Sequence, residues 1–201
     1  MIPTLGNNDN KYHDEATRPE DKKEFYKFLF DEWMTKMQGN KALANDPEIK
    51  KTFMEGAYYR YDVTDRISVL ALNTMYFMFN DDDESSDKVI TKEGTQQLKW
   101  IEEQFKNAGD RKFILTCHVY AGSRWKGKQL FKTQRNEEYF ALLRKYQSKV
   151  LIEVFAHDHL ADLRYHTTDL GGIFPRISDD ATLPKYFHNM FIAPGIAPNK
   201  G

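Results

Sequence analysis

The sequence predicts an α/β fold in which helices cover sheet layers, and three observations carry that expectation. Short apolar runs of strand character alternate with segments whose apolar residues recur at helical spacing. The chain has 201 residues, 40% of them hydrophobic and 14% aromatic, enough for one domain with a sizeable core. It carries no repeat at solenoid periods and no Gly/Ser-rich or Pro-rich linker, so residues 1–201 read as a single domain.

The first predicted helix spans residues 19–38. Thr17 and Glu20 have the spacing of a capping box, Pro19 suits a first turn, and Phe25, Phe28, Leu29 and Trp33 share one face. Residues 57–63 (AYYRYDV) and 66–72 (RISVLAL) read as strands joined by a hairpin turn at Thr64-Asp65. The acidic run from Asp81 to Asp87 reads as a solvated loop, since it lacks the alternating ligands and central glycine of a calcium loop. A second helix, 95–107, carries Leu98, Ile101 and Phe105 as its stripe and ends at Asn107-Ala108-Gly109. A third, 136–147, turns Tyr139, Leu142, Leu143 and Tyr146 inward. Apolar strands at 112–117 (KFILTC), 150–156 (VLIEVFA) and 187–193 (FHNMFIA) complete the order.

Composition removes several classes of function. Twenty-nine Lys and Arg against 30 Asp and Glu leave a net charge of −1, without the basic excess that nucleic-acid binding needs. A lone cysteine, Cys117, cannot close an internal disulfide. No apolar run approaches the roughly 20 residues of a transmembrane segment, and MIPTLGNNDNKYHDE lacks the basic start and apolar stretch of a signal peptide.

The histidines are the chemically informative residues. His118 directly follows the strand KFILTC, His157 directly follows VLIEVFA, and His159 comes two residues later. The carboxyl ends of strands in an α/β sheet border a crevice where ligands bind, and neutral imidazole suits zinc or iron. The plainer alternative is a set of hydrogen-bonded loop histidines. At the start, Ile2-Pro3-Thr4-Leu5 reads as a strand end leading into Gly6-Asn7-Asn8-Asp9. Gly6 permits a tight turn that presents the next side chains at the sheet edge; an ordinary Asx-rich turn has the same composition.

In order along the chain, Gly6-Asn7-Asn8-Asp9, Thr116-Cys117-His118-Val119 and Ala156-His157-Asp158-His159 resemble the Gly-Asn-His-Asp/Glu, Gly-His and Gly-His-x-His blocks of calcineurin-like metallophosphoesterases. Three further segments resemble the acid sphingomyelinase-like branch: the run from Ile67 to Thr74, Gln97-Leu98-Lys99-Trp100-Ile101, and the run from Phe191 to Pro198. The resemblance implies a four-layer β-sandwich flanked by helices, holding two divalent metal ions, often zinc. It implies a metal-dependent phosphoric ester hydrolase, sphingomyelin phosphodiesterase-like, attacking a lipid or nucleotide phosphate ester in line with a metal-bound hydroxide. By motif position Asn7, His118 and His157 would ligate one metal and His159 the other. Asp9 would accept hydrogen bonds that orient its neighbours. Arg124, with Tyr120 and Trp125, is a candidate for contacting substrate.

Several positions depart from the family pattern. Asn8 stands where the family has a histidine that contacts phosphate and protonates the leaving oxygen; an amide can contact phosphate but cannot deliver that proton. Loss of a general acid costs about 10²–10⁴-fold, most for poor leaving groups. His13 is a nearby replacement by sequence, and its alternative is a solvated loop residue. Cys117 and Ala156 replace family glycines, so left-handed backbone at either would be strained. Cys117 is expected to be a buried thiol pointing away from His118. The family's Asp-x-His and Gly-Asp blocks do not precede residue 6. The expectation is therefore a C-terminal portion of such a domain, with at most a partial metal site and exposed apolar sheet surface. The competing reading is a pseudoenzyme that binds a phosphate ligand or a protein partner.

Overall fold

The computed structural model describes residues 1–79, 91–123, 129–167, 173–174 and 186–193. The acidic run from Asp81 to Asp87, Arg124, Trp125 and residues 194–198 lie outside them. In chain order the helices are α1 (Lys22–Phe30), α2 (Lys41–Ala44), α3 (Pro47–Gly56), α4 (Lys92–Lys106) and α5 (Thr133–Lys145). The strands are β1 (Tyr59–Asp62), β2 (Ile67–Ala71), β3 (Lys112–Thr116), β4 (Val150–Phe155), β5 (Asp162–Thr167), β6 (Ile173–Phe174) and β7 (Tyr186–Ile192). The strands form one mixed sheet of order β1-β2-β3-β4-β7-β5-β6. The α/β architecture is thus the one the sequence predicts.

Strands β2, β3, β4 and β7 are mutually parallel, so their carboxyl ends lie along one edge. The hairpin of β1 and β2 is antiparallel, and Thr64 Oγ1 closes its turn by accepting from the amides of Arg66 and Ile67. Side chains alternate between the faces. On one face Leu70, Phe113, Leu115, Phe155, Met190 and Ile192 form a core with Leu98, Ile101 and Phe105 of α4 and Tyr139 and Leu143 of α5. On the other, Tyr59 and Ala71 pack beneath Tyr26, Leu29 and Phe30 of α1 and Ile49 and Phe53 of α3.

Among the described residues, the cover of the second face ends part-way along the sheet. Ala71, Thr116, Val154, Phe191 and Leu163 are successive cross-strand partners from β2 to β5. Ala71 is 1% exposed, whereas Phe191 is 37% and Leu163 49% exposed. Contiguous apolar surface of this kind promotes association. Replacing Phe191 and Leu163 by Lys should raise the solubility limit and lower the fluorescence of a bound apolar dye.

Several elements differ from expectation. The helix predicted over 19–38 is α-helical only across Lys22–Phe30 and continues as a π-helical turn over Asp31–Thr35. No capping box forms, because the Thr17 hydroxyl donates to Asn10 Oδ1 at 2.7 Å and Asp21 takes the N-cap position without a side-chain cap. The buried stripe is accordingly Tyr26, Leu29, Phe30 and Met34, and Phe28 is 57% exposed. Helix α3 has no counterpart among the predicted elements, although its signals are local. Asp46 caps it through the amides of Glu48 and Ile49, Pro47 opens it, and Ala57 ends it at φ 54°. Strands β5 and β6 were also unpredicted. Ile2–Leu5 is not a strand; the segment lies outside the ladder, with Pro3 carbonyl accepting from Tyr59 Oη at 2.8 Å. Helices α4 and α5 begin earlier than predicted, α4 because Thr91 caps it by accepting from Gly94 N–H at 3.2 Å. In α5, Phe140 joins Tyr139 and Leu143 in the core, while Leu142 and Tyr146 are only partly buried.

The end of β2 is fixed by a two-pronged clip. Gln97 Oε1 accepts from the Asn73 amide at 2.8 Å, and Gln97 Nε2 donates to the Asn73 carbonyl at 3.0 Å. The Asn73 side chain accepts from Met75 N–H at 3.2 Å and donates to Gly56 carbonyl at 3.0 Å. Both residues are fully buried, so every one of these groups needs its partner. Gln97→Leu should destabilise the chain by about 2–4 kcal/mol in urea unfolding, since it strands two buried backbone groups. The exposed neighbour gives the control: Gln96→Leu should stay within about 0.5 kcal/mol.

Candidate functional site

The parallel strands bring the sequence-predicted residues to one edge. The Val119 amide donates to Thr74 Oγ1 at 3.0 Å, tying the loop after β3 to the clipped end of β2. The Ala156 amide donates to the His118 carbonyl at 2.9 Å, tying the loop after β4 to the loop after β3. His118 and His157 therefore stand side by side, with ring centroids 5.2 Å apart at an interplanar angle of 81°.

The N-terminal turn completes the group. Asp9 N–H donates to the Gly6 carbonyl at 3.2 Å, and the Gly6 amide donates to Asp9 Oδ2 at 2.8 Å. This places Asn7 and Asn8 at the two central positions of the turn. Asn7 is buried and directed inward, whereas Asn8 is exposed. Asn7 Oδ1 lies 2.7 Å from His118 Nε2, and His157 Nδ1 lies 3.4 Å from the same nitrogen. A carbonyl oxygen only accepts, so His118 Nε2 carries the proton in the bond to Asn7.

Two further residues aim Asn7, and neither role was legible in the sequence. Asn7 Nδ2 donates to Asp14 Oδ1 at 2.7 Å and approaches His13 Nε2 at 3.2 Å. His13 Nδ1 in turn lies 3.0 Å from Asp14 Oδ2. With its amide nitrogen committed to these partners, Asn7 turns its oxygen toward His118. Asp14 reaches this position in left-handed backbone, φ 61°, a feature with no periodic signal.

Close approach makes Gly6 necessary. A Cβ built there would lie 3.0 Å from Cγ and Nδ1 of His118, so the imidazole packs directly on the glycine backbone. Burial holds the His118 pKa below its ordinary value; Asp9 and Asp14 act in the opposite sense, and the charge of His159 adds to the depression. The buried ring is thus neutral near neutral pH, the state in which imidazole can ligate a metal.

The strain expected at Cys117 and Ala156 lies elsewhere. Left-handed backbone occurs at His157, φ 78°, and His159, φ 58°, each of which costs roughly 1–2 kcal/mol for a residue with a Cβ. Alanine at 156 is therefore tolerated, and His157 and His159 themselves bear the strain. Cys117 is buried in the core, where burial and then Glu153 raise its pKa, keeping it a thiol.

The residues present fit one metal ion better than two. Around a tetrahedral ion with bonds of about 2.1 Å, ligand atoms stand roughly 3.4 Å apart, the separation of His157 Nδ1 and His118 Nε2. Asn7 and His118 instead share a direct hydrogen bond, which an ion would replace as it displaces the Nε2 proton. Among the described residues no three His, Cys, Asp or Glu side chains converge as a metal-binding group. The convergence consists of two imidazoles and an amide. His159 makes no described hydrogen bond to these three.

No family model matches the chain. An endopolyphosphatase from Neurospora crassa is 25% identical over 170 residues, covering 83% of this chain and 22% of that protein. The chain spans about a fifth of its relative. Among solved structures, PhoD aligns over 69% of this chain and 28% of its own, with TM-score 0.49 and 10% identity. A dimetal phosphatase from Danio rerio aligns over 69% of this chain and 49% of its own, with TM-score 0.44 and 14% identity.

Gly6→Ala tests the approach of the turn to His118. It should destabilise the chain by about 1–3 kcal/mol and shift the His118 ring resonances, measured by chemical unfolding and by NMR of the imidazole.

Proposed function

We propose that this chain is part of a metal-dependent phosphoric ester hydrolase of the calcineurin-like metallophosphoesterase type. The observation that carries the reading is the convergence of Asn7 Oδ1, His118 Nε2 and His157 Nδ1 at the carboxyl edge of parallel strands. Similarity to an endopolyphosphatase and the ordered motif blocks support it. Asn7, His118 and His157 would hold one divalent ion, zinc being suited to such donors, with His159 facing a second. A bound ion supplies Lewis acidity toward a phosphate oxygen. Asp14 orients Asn7, Asp9 closes the turn, and the exposed Asn8 amide donates a hydrogen bond to phosphate. Asn8 cannot release a proton to the leaving oxygen, so activated aryl esters are the favoured substrates.

The substrate class is a phosphate ester or anhydride. The sphingomyelin phosphodiesterase-like branch rests on the segments around Asn73 and Gln97, and a polyphosphate chain rests on the relative's activity. Two ions held close need a carboxylate between them. Among the described residues no three His, Cys, Asp or Glu side chains converge on a metal position, so the chain by itself is expected to bind about one ion and to turn over slowly.

The test is zinc titration of the full chain with calorimetry, alongside turnover of bis-p-nitrophenyl phosphate, a phosphocholine diester and polyphosphate. About one ion should bind, and His118→Ala should abolish binding together with any metal-dependent turnover. Asn8→His should raise turnover of the alkyl diester by about 10-fold or more and change the aryl diester far less. Zinc binding indifferent to His118→Ala would overturn the assignment. A second reading, a phosphate-binding pseudoenzyme, is favoured by the exposed Asn8 in place of an acid. Zinc and phosphate binding without turnover of any of the three substrates would select it.

A further inference from the structure

Asp158, the residue between the two strained histidines, is anchored by Tyr120 and, through it, by Arg164. Tyr120 Oη donates to Asp158 Oδ2. Arg164 Nη2 donates to Tyr120 Oη at 3.3 Å, and its guanidinium stands 4.5 Å from the centroid of the Tyr120 ring. The same guanidinium donates to Asp162 Oδ2 at 2.8 Å and to the Ser123 carbonyl at 2.7 Å. Tyr120 is fully buried and Arg164 is 7% exposed. The arrangement thus joins three segments: the loop after β3, the loop after β4, and strand β5.

The chain needs such an anchor here. His157 and His159 both hold left-handed backbone, a conformation that persists only where surrounding contacts over-determine it. Asp158 is the residue between them, and its amide donates to the Ala156 carbonyl at 3.1 Å in the same tight turn. Burial first and Asp158 second raise the Tyr120 pKa well above that of an ordinary phenol, so the hydroxyl remains a donor.

We propose that Tyr120, Asp158 and Arg164 form a latch that holds the His157–His159 turn in its strained conformation and so presents both imidazoles at the sheet edge. These are positioning residues, acting through the turn. The bearing of the latch on metal binding rests on the function proposed above; its bearing on the turn does not.

Two readouts on the full chain separate these levels. The first is amide hydrogen exchange in metal-free protein. Tyr120→Phe should accelerate exchange at Ala156 and Asp158 by about 10-fold, leaving the amides of β2 at the parent rate. Asp158→Asn retains an oxygen that accepts from Tyr120 and should stay close to the parent. Asp158→Ala, on the loop itself, should reproduce Tyr120→Phe, and the double variant should add little further. The second readout is zinc affinity at a temperature where every variant is folded. It should fall about 10-fold in Tyr120→Phe and recover toward parent in Asp158→Asn. Exchange at Ala156 and Asp158 unchanged in both Tyr120→Phe and Asp158→Ala would overturn the latch. If the parent binds no zinc while local exchange still accelerates, the latch stands and the metal reading fails. Acceleration spread equally over β2 would show a general structural contribution and would overturn the positioning role.

Discussion

A single buried side chain satisfies both polar atoms of the Asn73 backbone, and the sheet edge that carries His118 and His157 depends on that clip. Gln97 reaches from α4 to the end of β2, where the strand has left its ladder and the backbone would otherwise be unpaired. The fixed Asn73 sets Thr74, whose hydroxyl receives the Val119 amide and so holds the loop carrying His118. His118 carbonyl then receives Ala156 N–H at the start of the histidine turn. Position passes from α4 through three strand ends to the imidazoles by hydrogen bonds among buried groups, where a lost partner is expensive.

Around that frame the site combines close packing with local strain. Gly6 lets the N-terminal turn lie directly on the His118 ring, an approach that a methyl group would obstruct. Asp14 and the two histidines of the β4 loop hold left-handed backbone without being glycine. Such positions are costly in isolation and are retained where neighbouring contacts fix them, here the bonds of Asp14 to Asn7 and of Tyr120 to Asp158. The result is a pair of adjacent imidazoles with an amide oxygen beside them.

The two faces of the sheet have different fates. Among the described residues, one is covered by α4 and α5 along the central parallel strands, and the other by α1 and α3 at the β1–β2 end. Exposure therefore rises along the row from Ala71 to Leu163. Nearly continuous apolar runs, VLIEVF on β4 and Met190-Phe191-Ile192 on β7, equip both faces for burial, as expected for parallel strands.

Much of this was readable in the sequence, because it depends on local patterns. The stripe of α4, the Thr64-Asp65 hairpin, the strands that precede His118 and His157, and the turn at Gly6 all follow from spacing and turn chemistry. The segments around Asn73 and Gln97 stood out in sequence, but only the fold shows them as two halves of one clip. Helix α1 buries Tyr26 and Phe30 rather than Phe28 because they meet Phe53 of α3, a contact that no local pattern foretells. Likewise the aim of Asn7, the strain at His157 and His159, and the anchoring of Asp158 depend on atoms far apart in the chain. Sequence by itself determined which residues could ligate and which strand ends they follow. Tertiary structure decided their orientation, since that is set by long-range hydrogen bonds and by backbone conformations that local propensity disfavours.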